Sequence, residues 1–419
     1  MQILVLGSGA REHAIIKALV RTGSDPAHIF CAPGNGGIAQ EVSCINLNPD
    51  DPHQVADWAV TNEIDLVIIG PEAPLVAGVS DALRAKNIAV FGPSQEAAKL
   101  EGSKSFAKEV MAAADVPTGM ARECSNLTEV ESALDQFGEP YVVKADGLAA
   151  GKGVIVTSDK TAALAHAKTF LDQGMGILVE EYLDGDEVSL FFLSDGKTVV
   201  PLTPAQDFKR AYDNDEGPNT GGMGAYSPLP WLPEGFIEEV TDKVALPTVR
   251  EMSRLGTPFI GLLYCGLIIT KRGIRVIEFN ARFGDPETQV VLRRLLTPLA
   301  PLLYKAATGQ LASADDIEFS PDVAVTVVLA SEGYPVSSAP ERLITGLNEA
   351  EEDKHIEIAH AATKVTPAGI VATGGRVLSV IAMNENFHKA RKHAYAAISK
   401  IKLEGSHYRT DIAAKVDEG

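Results

Sequence analysis

The stretch Ile274-Arg275-Val276-Ile277-Glu278-Phe279-Asn280-Ala281-Arg282-Phe283-Gly284-Asp285-Pro286-Glu287-Thr288 opens as a β-strand and ends in a charged turn. Period-two alternation sets Glu278 and Asn280 on one face and Ile277 and Phe279 on the other. The apolar run Gly266 to Thr270 precedes it across Lys271-Arg272-Gly273, so the two runs read as a hairpin. Mg²⁺ takes one or two hard oxygen ligands from protein and the rest from phosphates and water, and Glu-x-Asn on one strand face supplies that pair. Arg282 follows two residues later, where a guanidinium can steady a transferring phosphoryl group. A polar strand edge running into a turn is the bland alternative. Four charged residues within the ten positions 278 to 287 weigh against it.

Upstream, Lys144-Ala145-Asp146-Gly147-Leu148-Ala149-Ala150-Gly151-Lys152-Gly153-Val154 sets three glycines and two lysines between two expected strands, Pro140 to Lys144 and Val154 to Thr157. Glycines let backbone N–H groups approach phosphate oxygens and lysine supplies charge. Gly153 and a strand follow Gly151-Lys152, where a Walker loop has Ser or Thr and a helix, so a hairpin cover over nucleotide phosphates fits better. A glycine-rich hairpin with solvated lysines is the other reading of this motif alone. The strand from Ile177 runs into Asp184-Gly185-Asp186-Glu187, where backbone groups can read an adenine edge and Glu187 can hold ribose hydroxyls. Taken alone, an acidic surface turn explains it as well.

Toward the N-terminus, the runs Ile3 to Leu6, His28 to Ala32, Leu66 to Ile69 and Ala89 to Phe91 alternate with helical stretches. This predicts an open parallel sheet whose ligands sit beyond the strand ends, at Gly7 to Arg11, Pro33 to Asn35, Gly70 to Glu72 and Gly92 to Ser94. Gly7-x-Gly9 invites a dinucleotide, but Glu12 holds the third glycine position and Gly34-Asn35 stands where a ribose-binding acid belongs. Arg11 at a helix N-terminus still suits one phosphate. Further helices are expected over Ser103 to Ala114, Thr128 to Phe137, Lys160 to Leu171, Ile237 to Leu255 and Asn386 to Ile401. A polar loop is expected at 206 to 228, with strands at Val323 to Leu329 and Arg376 to Ile381.

The 419 residues suffice for two to four domains at roughly 150 residues each. A net charge of −19 repels nucleic acid and anionic lipid over most of the surface, whereas a phosphorylated metabolite needs only a local positive pocket. Cys31, Cys44, Cys124 and Cys265 form no zinc-spaced pair, and no apolar run is long enough to span a membrane. No basic stretch precedes the first apolar run, so a cytoplasmic setting is expected.

Together these motifs resemble the ATP-grasp ligases and, among them, the glycinamide ribonucleotide synthetase (phosphoribosylamine–glycine ligase) family, over nearly the full length. Beyond the motifs above, the resemblance rests on Gly70 to Val76, Leu100 to Lys104, Gln206 to Arg210, Gly217 to Pro228, Thr373 to Leu378 and Arg409 to Ile412. Arg282 to Glu287 is its most specific string. Ser8, Ala10, Phe208, Ala281 and Ala413 depart from residues usual in the family, which are Asn, Gly, His, Cys and Gly in turn.

The resemblance implies an α/β architecture with three parts: a substrate-binding N-terminal parallel-sheet domain (1–101), an ATP-grasp domain with a small α+β lid at about 118–190 (102–321), and a C-terminal α+β domain (322–419). It implies ATP binding by Lys104, Lys144, Glu180, Glu181, Leu183, Glu187, Arg210 and Asn219, and Mg²⁺, with Mn²⁺ as a substitute, on Glu278 and Asn280. It implies catalytic roles for Lys144, Arg210, Arg282 and Asp285. The reaction so implied joins glycine to 5-phosphoribosylamine through glycyl phosphate, yielding glycinamide ribonucleotide, ADP and phosphate in purine biosynthesis. Arg11, Glu72 and Arg409 are expected at the amine substrate. A monomer with small-molecule partners alone, without nucleic acid or membrane, completes the expectation. A nicotinamide oxidoreductase, a non-catalytic metabolite binder and a carboxylating or formate-dependent ATP-grasp enzyme are the rival readings.

Overall fold

The N-terminal runs form five parallel strands in the order Ser43–Cys44, Ile29–Pro33, Ile3–Gly7, Leu66–Ile69, Ala89–Phe91. The computed structural model describes residues 1–147, 153–337 and 339–417. Every residue of Ile3–Gly7 is buried, as its apolar composition requires of a central parallel strand. Its neighbours Ile29–Pro33 and Leu66–Ile69 flank it on opposite sides, so the crevice of the sheet opens above Gly7 and Gly70. Glu12 fills that crevice: the Gly9 N–H donates to its Oε2 at 2.6 Å, and a Cβ on Gly70 would stand 2.0 Å from its Oε1. A carboxylate thus occupies the room a dinucleotide pyrophosphate would need.

The middle of the chain builds two antiparallel four-stranded sheets. One has the order Ala121–Cys124, Ile177–Glu180, Tyr141–Ala145, Val154–Thr157 and packs the helices Leu127–Phe137 and Lys160–Leu171 over a core of its own that includes Val130, Leu134, Val143 and Ile177. The expected turn residues Leu148 to Lys152 lie outside the described residues. The other sheet runs Val199–Pro201, Asp186–Asp195, Ile260–Thr270, Gly273–Asn280, with the first hairpin strand beginning six residues earlier than expected. The sheets meet where Val276 N–H donates to Pro117 O at 2.8 Å and Thr118 Oγ1 donates to Val276 O at 2.7 Å.

The C-terminal sheet corrects two expectations. It is ordered Gln206–Asp207, Gly224–Ser227, Val323–Ser331, Arg376–Asn384, Ile356–His360, so strands from the expected polar loop extend it across the expected boundary at 321/322. Between them Arg210–Tyr212 and Glu216–Asn219 pair as a hairpin. Composition hides these strands because Gly224–Ser227 pairs with Val323–Ser331 about a hundred residues on, and Gln206–Asp207 joins the sheet only through Gly224–Ser227. The expected helix Ile237 to Leu255 is also interrupted, as Phe236–Val240, a π-turn at Thr241–Ala245 and Leu246–Arg254. Pro247 donates no N–H and its ring crowds the carbonyl four residues back, which forces the widened turn.

Two joints lock the parts together. The His360 N–H donates to His13 Nδ1 at 2.8 Å, leaving His13 Nε2 to face Glu41 at 3.0 Å, and burial holds both imidazoles below their usual pKa, His360 at about 3. Arg294, only 6% exposed, donates to Thr203 Oγ1, Ser227 Oγ, Ser320 O and Asp322 O, and burial draws its pKa down to about 10. All four acceptors lose their charged donor in Arg294→Met, which should cost about 3 kcal/mol of stability. Thermal unfolding checks it: a midpoint equal to that of the parent chain would show that this joint carries no load.

Candidate active site

Three lysines converge where the two middle sheets face each other. Lys144, 5% exposed at the end of its strand, pairs with Glu180 at 2.9 Å and donates to Ile277 O at 3.3 Å. Lys104 Nζ donates to Ala145 O and Gly147 O, and its own backbone N–H is held by Asp146 Oδ1 at 2.6 Å. Lys108, unnoticed in the sequence, reaches Glu180 at 3.5 Å and Thr118 Oγ1 at 2.9 Å. Burial, and Lys144 nearby, hold Lys104 and Lys108 below the usual lysine range. Lys108 and Lys144 share Glu180, and Lys104 beside them is held by backbone carbonyls, which makes a positive pocket in an acidic chain, as a polyphosphate requires.

The unpaired segment after Glu180 links the two sheets. Glu181 is committed to it, accepting from Met120 N–H at 3.0 Å and pairing with Arg272 at 3.1 Å, and half-buried Leu183 follows. Glu187, at the start of the next strand, pairs with Lys209 at 2.6 Å. Lys209 rather than Arg210 therefore enters the cleft. Along Gln206 to Arg210 alternate residues face opposite ways: Gln206 meets Tyr226 and Phe208 packs on Arg409, while Lys209, and Asp207 with it, turn to the cleft. Arg210 instead donates to Gly217 O and lies opposite exposed Asn219 in the hairpin. Burial raises Asp207 to about 7; Lys209 opposes that shift, while the like charges of Glu287 and Glu187 add to it. Alternation groups Asp207 with Lys209 on one face, but which face meets the cleft is set by the pairing of Gln206–Asp207 with Gly224–Ser227.

Glu278 stands opposite Gly266 in the register, and a Cβ on Gly266 would lie 3.3 Å from the Glu278 Cγ, so glycine there gives the carboxylate room. Asn280 follows on the same face. Among the described residues no three carboxylate, imidazole or thiolate groups converge in a ligating geometry. Two protein oxygens with a lysine pocket beside them fit a divalent cation that takes its remaining ligands from phosphates and water.

The turn after Asn280 gathers a second cluster. Arg282 pairs with Glu72 at 3.1 Å and Glu101 at 3.0 Å. Burial alone would lower Arg282, but Glu101 and Glu72 outweigh it and hold the guanidinium firmly charged. Arg11 pairs with Glu12 at 2.6 Å and donates to Phe283 O at 3.2 Å. Asp285 pairs with Arg376 at 3.3 Å and accepts from Gln289 at 2.8 Å; burial would raise it, yet Arg376 and Arg11 keep it below its ordinary value. The fold thus brings Arg11, Glu72, Arg282 and Asp285 together, and adds Glu101 and Arg376, which the sequence did not single out.

Arg409 does not join them. Its side chain is 1% exposed and its guanidinium is spent on Asp411 at 2.8 and 2.7 Å, Asp215 at 2.9 Å, the Arg210 carbonyl and the Phe208 ring. These partners make it a structural tie of the 210–219 hairpin, correcting its expected place at the amine substrate.

Comparison with known proteins agrees with this geometry. Family profiles described as phosphoribosylglycinamide synthetase N domain, ATP-grasp (A) domain and C domain match residues 1–101, 102–288 and 324–415. A phosphoribosylamine–glycine ligase of Leifsonia xyli subsp. xyli is 62% identical over 99% of this chain and 100% of its own, and one of Streptomyces coelicolor is 56% identical over 99% of each. The crystal structure of the phosphoribosylamine–glycine ligase of Thermotoga maritima superposes with a TM-score of 0.83 at 30% identity, covering 98% of this chain and 100% of that one. The three matched domains, the nearly full-length identity and the shared fold together show that the chain belongs to the phosphoribosylglycinamide synthetase family of ATP-grasp ligases.

Proposed function

We propose that the chain joins glycine to 5-phosphoribosylamine through glycyl phosphate, releasing ADP, phosphate and glycinamide ribonucleotide for purine biosynthesis. The observation that carries this reading is the adjacency of the lysine pocket, the Glu278–Asn280 pair and the Arg282 cluster along one strand end. A carboxylate is a poor acyl donor, so it must first be activated. A glycine carboxylate oxygen attacks the γ-phosphorus, the bond to the β–γ bridging oxygen breaks, and ADP leaves. Lys104 and Lys144 hold the nucleotide phosphates, with Glu180, Glu181, Leu183 and Glu187 along its adenosine end, and Arg282 faces the transferring group. Glu278 and Asn280 would hold Mg²⁺, which neutralises phosphate charge when bound; Mn²⁺ has the same ligand preference.

The amine nitrogen of phosphoribosylamine then attacks the acyl carbon, and phosphate departs as the C–N bond forms. Asp285, kept ionised by Arg376, accepts a hydrogen bond from that amine. Arg11 at the N-terminus of its helix holds the ribose phosphate, and Glu72 the ribose hydroxyls. Arg210 and exposed Asn219, paired across their hairpin, would reach the nucleotide only on closure. The unit at about 118–190, with its own core, serves as the lid that keeps water from the acyl phosphate. The four unpaired cysteines suit a reducing cytoplasm, and the net charge suits a monomer free of nucleic acid. No helix among the described residues is long and apolar enough to cross a membrane.

ADP release that requires both glycine and phosphoribosylamine is the decisive assay; release with neither, or with NADH protecting the fold in place of MgATP, would end this reading. Glu278→Ala should lower turnover by about a hundredfold or more, the scale of losing a transition-state charge contact, with thermal stability nearly unchanged. Parent-like turnover at ordinary Mg²⁺ would remove Glu278 from the metal. Arg11→Ala should raise the KM for phosphoribosylamine about tenfold and leave that for ATP in place. Equal effects on both substrates would point to damaged domain packing instead.

A further inference from the structure

Beside the cleft lies a buried polar group that nucleotide binding does not use. Glu287, 4% exposed, begins the helix Glu287–Arg294. Its Oε1 accepts from the Tyr264 hydroxyl at 3.0 Å and the Ser189 hydroxyl at 3.2 Å, and those hydroxyls lie 2.8 Å apart. Its Oε2 accepts no hydrogen bond from a described residue. A Cβ on Gly284 would stand 2.6 Å from that oxygen, so glycine at 284 leaves it uncovered. Ser189, Tyr264, Lys209 and Glu278 line one pocket, which places this group at the end of the cleft where phosphoryl transfer is proposed.

Charge at this end is unbalanced. Lys209 pairs with Glu187, while neither Asp207 nor Glu287 has a salt-bridge partner among the described residues. Lys209 is the nearby cation for Asp207 but is already ion-paired with Glu187, so three carboxylates share one ammonium and a further cationic group is favoured there. A second metal suits the site poorly, because two hydroxyl donors already occupy Glu287 Oε1. An ammonium needs only acceptors, and glycine carries one at the far end from the carboxylate that must meet the γ-phosphate.

We propose that Glu287 and Asp207 bind the α-ammonium of glycine, with Ser189 and Tyr264 as positioning residues for Glu287 and Lys209 facing the glycine carboxylate. This rests on the ligase reading above. It also accounts for the choice of nucleophile. The held ammonium has no lone pair and cannot attack a second glycyl phosphate. The neutral amine of phosphoribosylamine has one: it forms the C–N bond as the acyl C–O bond breaks, and its proton leaves to phosphate or solvent.

The test uses the full chain with Glu287→Gln and Asp207→Asn, each nearly isosteric. Each should raise the KM for glycine about 10- to 100-fold, the effect of losing a charged hydrogen bond, while the KM for ATP stays in place. Glycolate, with a hydroxyl in place of the ammonium, provides a readout that a structural role would not move. The parent should prefer glycine strongly, and Glu287→Gln should narrow that preference. Tyr264→Phe, which keeps the ring and removes the donor, should raise the glycine KM by a smaller factor. If Glu287→Gln does not fold, half-exposed Asp207→Asn decides the matter. An unchanged glycine KM in the folded variants, or a shift in Mg²⁺ dependence in its place, overturns the proposal and leaves the ligase reading standing. A parent chain without glycine-dependent ADP release overturns that reading itself.

Discussion

Arg282 holds its guanidinium between Glu72, just beyond a strand of the N-terminal sheet, and Glu101, at the entry to the middle of the chain. The geometry of the candidate site depends on this sharing. Arg282 sits two residues beyond Asn280, so the same turn that ends the Glu278–Asn280 strand is fastened to the edge of the parallel sheet. Arg11 fastens it again through the Phe283 carbonyl, and Arg376 does so from the C-terminal sheet through the Asp285 carboxylate and carbonyl. A buried ion pair contributes little net stability, because desolvation offsets most of its attraction, but breaking one leaves a costly unpaired charge. Such contacts fix geometry more than they add stability, and here they set three parts of the chain around one turn.

The electrostatics follow the same economy of placement. A chain of net charge −19 would repel ATP, yet Lys104, Lys108 and Lys144 are drawn to one pocket, where Lys108 and Lys144 share Glu180. Burial depresses Lys104 and Lys108, so an anion placed beside them favours their charged forms. At the other end of the cleft the imbalance reverses, with Asp207 and Glu287 in excess. A substrate with a carboxylate at one end and an ammonium at the other matches that polarity.

The departures from residues usual in the family have local accommodations. Ala10 is buried against Ala359 and Ile381 of the C-terminal sheet, and Ala281 is buried with its N–H donated to Glu101 at 2.8 Å. Phe208 carries the Arg409 guanidinium 5.0 Å over its ring, a contact the aromatic face favours. Ala413 adopts a left-handed φ of 57°, which explains why glycine is usual there: a Cβ in that conformation costs roughly 1–2 kcal/mol. Ser8 is exposed, and its carbonyl accepts from Asn35 at 2.9 Å, so its side chain leaves the loop geometry untouched.

The sequence by itself determined whatever depends on neighbours close in the chain. The parallel strands Ile3–Gly7, Leu66–Ile69 and Ala89–Phe91 are short apolar runs that can be stable only when buried on both faces. The pairing of Glu278 with Asn280 follows from the period of a strand, and Glu12 already argued against a dinucleotide before its carboxylate was seen filling the crevice. Only the tertiary structure decided which of Lys209 and Arg210 enters the cleft, because that parity is set by the pairing of Gln206–Asp207 with Gly224–Ser227, itself fixed by Val323–Ser331. It decided that Arg409 is a tie and not a phosphate contact, since its acidic partner Asp215 lies on a distant hairpin. It decided too that Glu287 is buried among hydroxyls. Side-chain direction and desolvation are properties of long-range packing, and a charged residue's role follows from the partners that packing brings within a few ångströms.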